Sequence, residues 1–218
     1  HYRRAIVVDK NDKEAFKWYL KAAVQGDAKA QYNVGYLYNH GIGVDKNDKE
    51  AFKWWLKAAK QGDAKAQHNV GCCYSLARGV DKNDKESFKW RLKAAQQGHA
   101  KAQYAVGYCY SFPIGVNKND KEASKWYLKA AQQGHDTAQF IIGIIYEKAI
   151  STNKKNYEIA IQWYKKAAAQ GYKKAQERIT ELQKSTTKES RIKSELETIS
   201  IKQEISAQEQ PPSFQLSL

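Results

Sequence analysis

Residues 11–46 read NDKEAFKWYLKAAVQGDAKAQYNVGYLYNHGIGVDK, and the same wording returns at a fixed distance along the chain. Asn-Asp-Lys-Glu begins at Asn11, Asn47, Asn83 and Asn119, in steps of 36 residues. Tryptophan follows at Trp18, Trp54, Trp90, Trp126 and Trp163, and glycine at Gly26, Gly62, Gly98, Gly134 and Gly171. The last step in both series is 37 residues, so one residue has entered the loop before the fifth unit. Self-similarity at this period is the mark of a repeat architecture.

Each unit predicts two helices. In the first, Asp12 is the expected N-cap of a helix over 13–25, and Gly26 closes it where a positive φ suits glycine. Asp27 then caps a second helix over 28–39, and Gly41-Ile42-Gly43-Val44 forms the return loop. Lys13, Lys17 and Lys21 fall within about 80° of one another at about 100° per residue, opposite Phe16, Leu20 and Ala23. In the second helix Ala30, Val34, Leu37 and Tyr38 share a face. Gly35 stands mid-helix and recurs as Gly71, Gly107 and Gly143. Glycine there costs about 1 kcal/mol against alanine, so its recurrence predicts a close approach by the neighbouring helix. One such hairpin cannot bury its own apolar face, whereas stacked hairpins can. The fold expected is all-α, a right-handed superhelical solenoid of antiparallel helix pairs.

Position by position, Ala15, Trp18, Lys21, Ala22, Ala23, Gln25, Gly26, Ala30, Gln31, Gly35, Tyr38, Gly41, Gly43 and Val44 form a pattern that resembles the Sel1-like repeat, a relative of the tetratricopeptide repeat. The resemblance covers about residues 1–183. It implies a non-enzymatic adaptor that assembles membrane-associated complexes or serves quality control or signalling. The units are expected at 11–46, 47–82, 83–118, 119–154 and 155–184. Residues 1–10 align on Leu37–Lys46 and read as the end of a truncated preceding unit, with a further domain of the same protein expected upstream. Residues 185–218 form a polar tail, with Ile192, Leu196 and Ile199 at helical spacing for a capping helix, then a break at Pro211-Pro212 and a disordered end.

The tyrosines at 32 and 36 lie off the first apolar face of their helix, and their counterparts in the fifth unit are Glu177 and Glu181. A stripe that turns polar where no repeat follows is expected to pack against the next unit.

The 218 residues carry a net charge of +14, and the basic character belongs to the repeats, since 185–218 holds more acidic than basic residues. No apolar run approaches the ~20 residues of a membrane span. Cys72, Cys73 and Cys109 form no Cys-x-x-C, and Cys73 and Cys109 lie one repeat apart, too far for a disulfide. Unpaired cysteines favour a reducing, cytoplasmic setting. His99 and His135 replace Asp27 and Asp63 at a helix start and read as caps, not as metal ligands. No catalytic constellation, cofactor motif or metal set is found.

What remains is a surface. Lys17, Lys21, Lys53, Lys57, Lys89, Lys93, Lys125 and Lys129 form a ladder on the first helices. Tyr19, Trp55, Arg91 and Tyr127 occupy one equivalent position, and an arginine among aromatics there suggests partial exposure beside the lysines. If the first helices line the concave side, the groove suits an acidic peptide or protein segment. Two other readings stay open. The lysines can be a solvated face that serves solubility, or they can hold nucleic acid, RNA above all. Because they scarcely vary from unit to unit, they would grip phosphate without reading sequence.

Overall fold

The computed structural model describes residues 2–149, 155–185 and 196 of the chain. The described residues are helical throughout apart from short connections. The helices are α1 (Tyr2–Val24), α2 (Ala28–His40), α3 (Asp48–Lys60), α4 (Ala64–Leu76), α5 (Asp84–Gln96), α6 (Ala100–Ser111), α7 (Asp120–Gln132), α8 (Asp136–Lys148) and α9 (Lys155–Ala169). A further helix, α10, covers 173–185. Each helix packs on those adjacent in the chain, which is the right-handed solenoid of hairpins expected from the repeat. The ends of two expectations, the loop at 150–154 and the tail beyond 185 apart from Leu196, lie outside the described residues.

Capping residues set the helix boundaries. The first helices of units two to four start at Asn47, Asn83 and Asn119, whose side-chain oxygens accept from the Glu50, Glu86 and Glu122 amides at 3.0 Å. The cap is therefore the asparagine, one residue ahead of the aspartate expected from the first unit. Asp48, Asp84 and Asp120 instead occupy the first turn, where a carboxylate meets the positive end of the helix dipole. The second helices start as expected. Asp27 and Asp63 accept from Ala30 and Ala66 at 2.6 and 2.7 Å. His99 and His135 do the same through Nδ1 toward Ala102 and Ala138, at 3.2 and 3.4 Å.

The chain start differs from the expectation. The helix α1 begins at Tyr2 and runs on through Asp12, where a return loop and a cap were expected. In the complete loop Gly41 and Gly43 both take φ near +68°. Ala77 takes that conformation at the Gly41 place of the second unit, so the telling residue is Val7, at the Gly43 place: a β-branched side chain disfavours a positive φ, and the backbone stays helical.

Alanines carry the hairpin cores. Ala51, Ala58, Ala59 and Ala66 are buried in the second unit, as are Ala94, Ala95 and Ala102 in the third. Small side chains let the paired helices approach closely. Beside them an edge-to-face aromatic pair repeats: Phe16 on Tyr38, Phe52 on Tyr74 and Phe88 on Tyr110, at 5.3 to 5.4 Å.

Between units runs a chain of amides. Gln31, Gln67, Gln103 and Gln139 are buried, and each donates to an alanine carbonyl at the end of its own unit's first helix, at 3.1 to 3.2 Å. Each also accepts from a glutamine of the next unit: Gln61, Gln97, Gln133 and Gln170, at 2.6 to 2.9 Å. Each of those carbonyls also accepts from the N–H of Gly26, Gly62, Gly98 or Gly134, so the glutamine is its second donor, and the ladder ties one hairpin to the next.

Candidate functional site

Every lysine of the predicted ladder is exposed on α1, α3, α5 or α7. Most of them have a partner on their own helix. Lys53, Lys89 and Lys125 pair with Glu50, Glu86 and Glu122 at 2.6 to 2.7 Å. Lys57, Lys93, Lys129 and Lys166 lie over the rings of Trp54, Trp90, Trp126 and Trp163 at 4.1 to 4.5 Å, and Lys21 lies 5.5 Å from Trp18. A lysine three residues after a tryptophan on a helix meets it on one face, and the ring attracts the ammonium. The face is thus a row of ammonium groups, one per repeat, each resting on an indole.

The equivalent position predicted to border this face does something else. Trp55 is 5% exposed and Tyr127 4%, so neither offers surface to a partner. Both rings lie on the mid-helix glycine of the preceding unit: Trp55 on Gly35 and Tyr127 on Gly107. Tyr164 lies on Gly143 in the same way. The close approach expected at these glycines comes from a side chain of the next hairpin. Tyr19 alone of this series is exposed, at 42%.

Arg91 breaks the series. It sits on Gly71 with its Cγ where the other units have a ring. Its surroundings have changed with it: His68 stands for Tyr32 or Tyr104, Cys72 for Tyr36 or Tyr108, and Ser87 for Ala51 or Ala123. The Ser87 hydroxyl donates to the Gly71 carbonyl at 2.7 Å, deep in the interface. The Arg91 Nη2 group donates to Ser75 Oγ at 2.7 Å and lies 3.9 Å from Cys72 Sγ, while Nη1 is 4.0 Å from Cys109 Sγ. Nε, fully enclosed, has no partner, and neither has Nδ1 of His68. The His68 ring packs against His99 with centroids 4.9 Å apart, and its Nε2 is 3.6 Å from Cys72 Sγ. Burial, reinforced by the neighbouring His99, which cannot share a second proton cheaply, and by the positive charges of Arg91 and Lys101, holds the His68 pKa down to about 3, so the ring is neutral at ordinary pH. Burial also raises the thiols of Cys73, to about 12, and of Cys109, which makes both poor nucleophiles. The sequence carried a signal for this cluster: four residues that face one another depart from the repeat together.

The expected inter-repeat stripe divides in two. Tyr32, Tyr104 and Phe140 pack against the following hairpin. Tyr36 and Tyr108 are each 41% exposed; Tyr36 stacks on His40, and the Tyr108 ring lies 4.7 Å from that of Phe112. Their counterpart Ile144 packs against the fifth unit's core.

Among the described residues no group of three histidine, cysteine or acidic side chains is placed to hold a metal ion, and no helix is long and apolar enough to cross a membrane.

Stacked hairpins joined where a side chain of one lies on the mid-helix glycine of the hairpin before it define an α-solenoid. The chain belongs to the Sel1 repeat family, whose repeat model matches residues 1–27, 28–63, 64–99, 100–135 and 137–172. The family model places unit boundaries between the two helices, where the motif reading placed them in the return loops; the period is the same. A Sel1 repeat protein from Oxalobacter formigenes is 40% identical, with a TM-score of 0.71 over 79% of this chain and 68% of that one. The protective antigen c5321 of uropathogenic Escherichia coli strains, which displays an SLR fold, is 33% identical with a TM-score of 0.72. That likeness covers 78% of this chain and 36% of the antigen, so this chain spans about a third of its length. No curated protein matches the chain significantly. Sel1 repeat proteins in general mediate protein–protein interaction and are generally non-catalytic.

Proposed function

We propose that this chain is a non-enzymatic interaction scaffold that takes an acidic segment of a partner protein along the lysine face of α1, α3, α5 and α7. The observation that supports it is the row of lysines on tryptophans. Lys57, Lys93, Lys129 and Lys166 are held at one orientation per repeat, and each has aromatic area beside it. Holding the side chains in place beforehand lowers the entropy lost when a partner binds. Carboxylates spaced along an extended segment would meet the ammonium groups in turn, and the net charge of +14 would steer them there. The glutamates at 50, 86 and 122 already neutralise one lysine per unit, so the third lysine of each triplet is the contact residue.

The test is binding of poly-glutamate to the chain and to a variant with Lys53→Glu, Lys57→Glu, Lys89→Glu and Lys93→Glu, across a salt series, with a poly-uridine RNA in parallel. The expected result is poly-glutamate binding that the variant loses while its thermal midpoint changes little. RNA bound more tightly than poly-glutamate near physiological salt would turn the reading to nucleic acid. Binding unchanged in the variant would remove the lysine face from the function.

A further inference from the structure

On the other side of α5, about 200° around the helix from Lys89, a cleft of about 440 Å³ opens between the second and third hairpins. Its walls are Ser75 and Leu76 at the end of α4, Arg91 on α5, and Tyr104 and Tyr108 on α6. Lys82 and Asp84 stand at its rim and pair with each other at 3.5 Å.

Arg91 is the unusual group here. A guanidinium keeps its charge at any ordinary pH. Among the described residues no carboxylate pairs with this one. Its partners are a serine hydroxyl and two thiol sulfurs at the limit of contact, and Nε has none. A half-buried cation compensated only by neutral, weak acceptors is unfavourable, and an anion reaching it gains what water no longer supplies. The fold shows where such an anion fits. Two units later the residue equivalent to Ser75 is Glu147, and its carboxylate takes both the Tyr164 hydroxyl and the Arg178 guanidinium. At Arg91 that slot holds a serine, and open volume lies beside it. Next to the slot, Leu76 is 56% exposed and Tyr108 presents its ring, so the cation is bordered by apolar surface.

We propose that this cleft is an anchor site in which Arg91 binds a carboxylate of a partner peptide, while a neighbouring aliphatic or aromatic side chain of that peptide rests on Leu76 and Tyr108. The proposal rests on the reading of the chain as a scaffold for protein partners, but it uses a different face from the lysine row. It assigns the partner a feature that a lysine row cannot demand: an acidic residue flanked by a bulky apolar one. Charge alone would accept any polyanion. A half-buried guanidinium next to an apolar wall favours that combination.

The probe is a fluorescein-labelled hexapeptide of alternating glutamate and leucine, followed by anisotropy near physiological ionic strength, where charges on the far face of α5 are screened. Four proteins are compared: the unaltered chain, Arg91→Tyr, Ser75→Glu, and the fourfold lysine-to-glutamate variant above. Tyrosine is the residue of three other units at this position, Tyr19, Tyr127 and Tyr164, and the last two fill the same interface, so Arg91→Tyr keeps it filled. Ser75→Glu places the missing carboxylate inside the chain.

Arg91→Tyr and Ser75→Glu are each expected to weaken binding about tenfold or more, and Ser75→Glu to raise the thermal midpoint as well. The fourfold lysine variant is expected to keep its affinity for this peptide. In a ¹⁵N spectrum the Arg91 Nε–H resonance should move on adding the peptide and stay in place with a glutamine-for-glutamate peptide. Retained binding in Arg91→Tyr, or an Arg91 resonance unmoved at millimolar peptide, would overturn the anchor site. If the lysine variant alone loses the peptide, the anchor fails and the lysine-face reading stands. If Arg91→Tyr and Ser75→Glu lose it while the lysine variant keeps it, the anchor stands, and the lysine face is decided separately by its poly-glutamate binding.

Discussion

The indole of Trp55 lies flat against Gly35 of the preceding hairpin: a Cβ on that glycine would stand 2.6 Å from Cδ1 of the ring. The indole N–H donates to the carbonyl of Tyr32 at 3.1 Å. One contact thus explains both a glycine in mid-helix and an aromatic 20 residues later. The joint between hairpins is a ring filling the notch that the missing side chain leaves.

Gly107→Ala and Gly143→Ala should therefore destabilise the chain, although alanine is the better helix former. A Cβ at Gly143 would meet Tyr164 at 2.5 Å, and that tyrosine is fully buried with nowhere to move. Overpacking of this kind costs about 1–3 kcal/mol, which outweighs the gain of about 1 kcal/mol in helix propensity. Urea unfolding reads the difference. A midpoint equal to or above that of the unaltered chain would show that the ring yields.

The tryptophans of the ladder should not be equivalent. Trp54 is 9% exposed and packs in the core of the first two hairpins, so Trp54→Ala should cost about 3 kcal/mol or more. Trp18 is 64% exposed, and Trp18→Ala should cost under about 1 kcal/mol. Trp90 is half-buried against the second unit's core and should fall between, below the value that a fully buried tryptophan would suggest. Equal losses at all three positions would contradict this ranking.

Acid should weaken the joint between the second and third hairpins. The folded-state pKa of His68 lies near 3, below the ordinary histidine value of 6.5, because burial opposes protonation, as do the neighbouring His99 once it is protonated and the cations Arg91 and Lys101. The unfolded chain binds the proton more readily, so stability is complete above about pH 6.5 and falls as pH drops toward 3. His99 and His135 are also lowered, chiefly by burial, and each must stay neutral at Nδ1 to accept its capping hydrogen bond. His68→Tyr together with His99→Asp should flatten the loss of thermal midpoint between pH 7 and 5. An unaltered slope would mean that other groups set it.

The glutamine ladder should behave as a coupled pair at each joint. Gln67→Ala removes the second donor to the Ala59 carbonyl, which keeps the Gly62 N–H, and the acceptor for Gln97, at a cost of about 0.5–1.5 kcal/mol. Gln97→Ala loses an exposed donor and should cost less. The double variant should lose less than the sum of the two, as neighbours in one network do. Strict additivity would show that the amide-to-amide bond contributes nothing.

Much of this was legible in advance. The period, the two helices of each unit, the capping role of Asp27, Asp63, His99 and His135, and the solvated lysine face all follow from residue spacing. The asparagine caps were missed by one residue, because Asn47 and Asp48 are both good capping residues and only the backbone turn selects between them. The helical start at Tyr2 departs from the loop that residues 1–10 align on because Val7 stands where that loop needs Gly43.

By itself the sequence determined that the chain is a stack of like hairpins, since a repeat length and an amphipathic pattern are properties of residue order. Only the tertiary structure decided which residues meet across a joint. Trp55, Arg91 and Tyr127 share one place on the helical wheel, about 240° from the first lysine of each triplet and inside the apolar arc. A wheel describes one helix, while what such a position meets depends on a third helix, the α2, α4 or α6 that comes before it and stands beside it. The same holds for charge: that Arg91 faces Ser75 where Tyr164 faces Glu147 becomes visible only when helices 16 and 17 residues apart in sequence are set side by side.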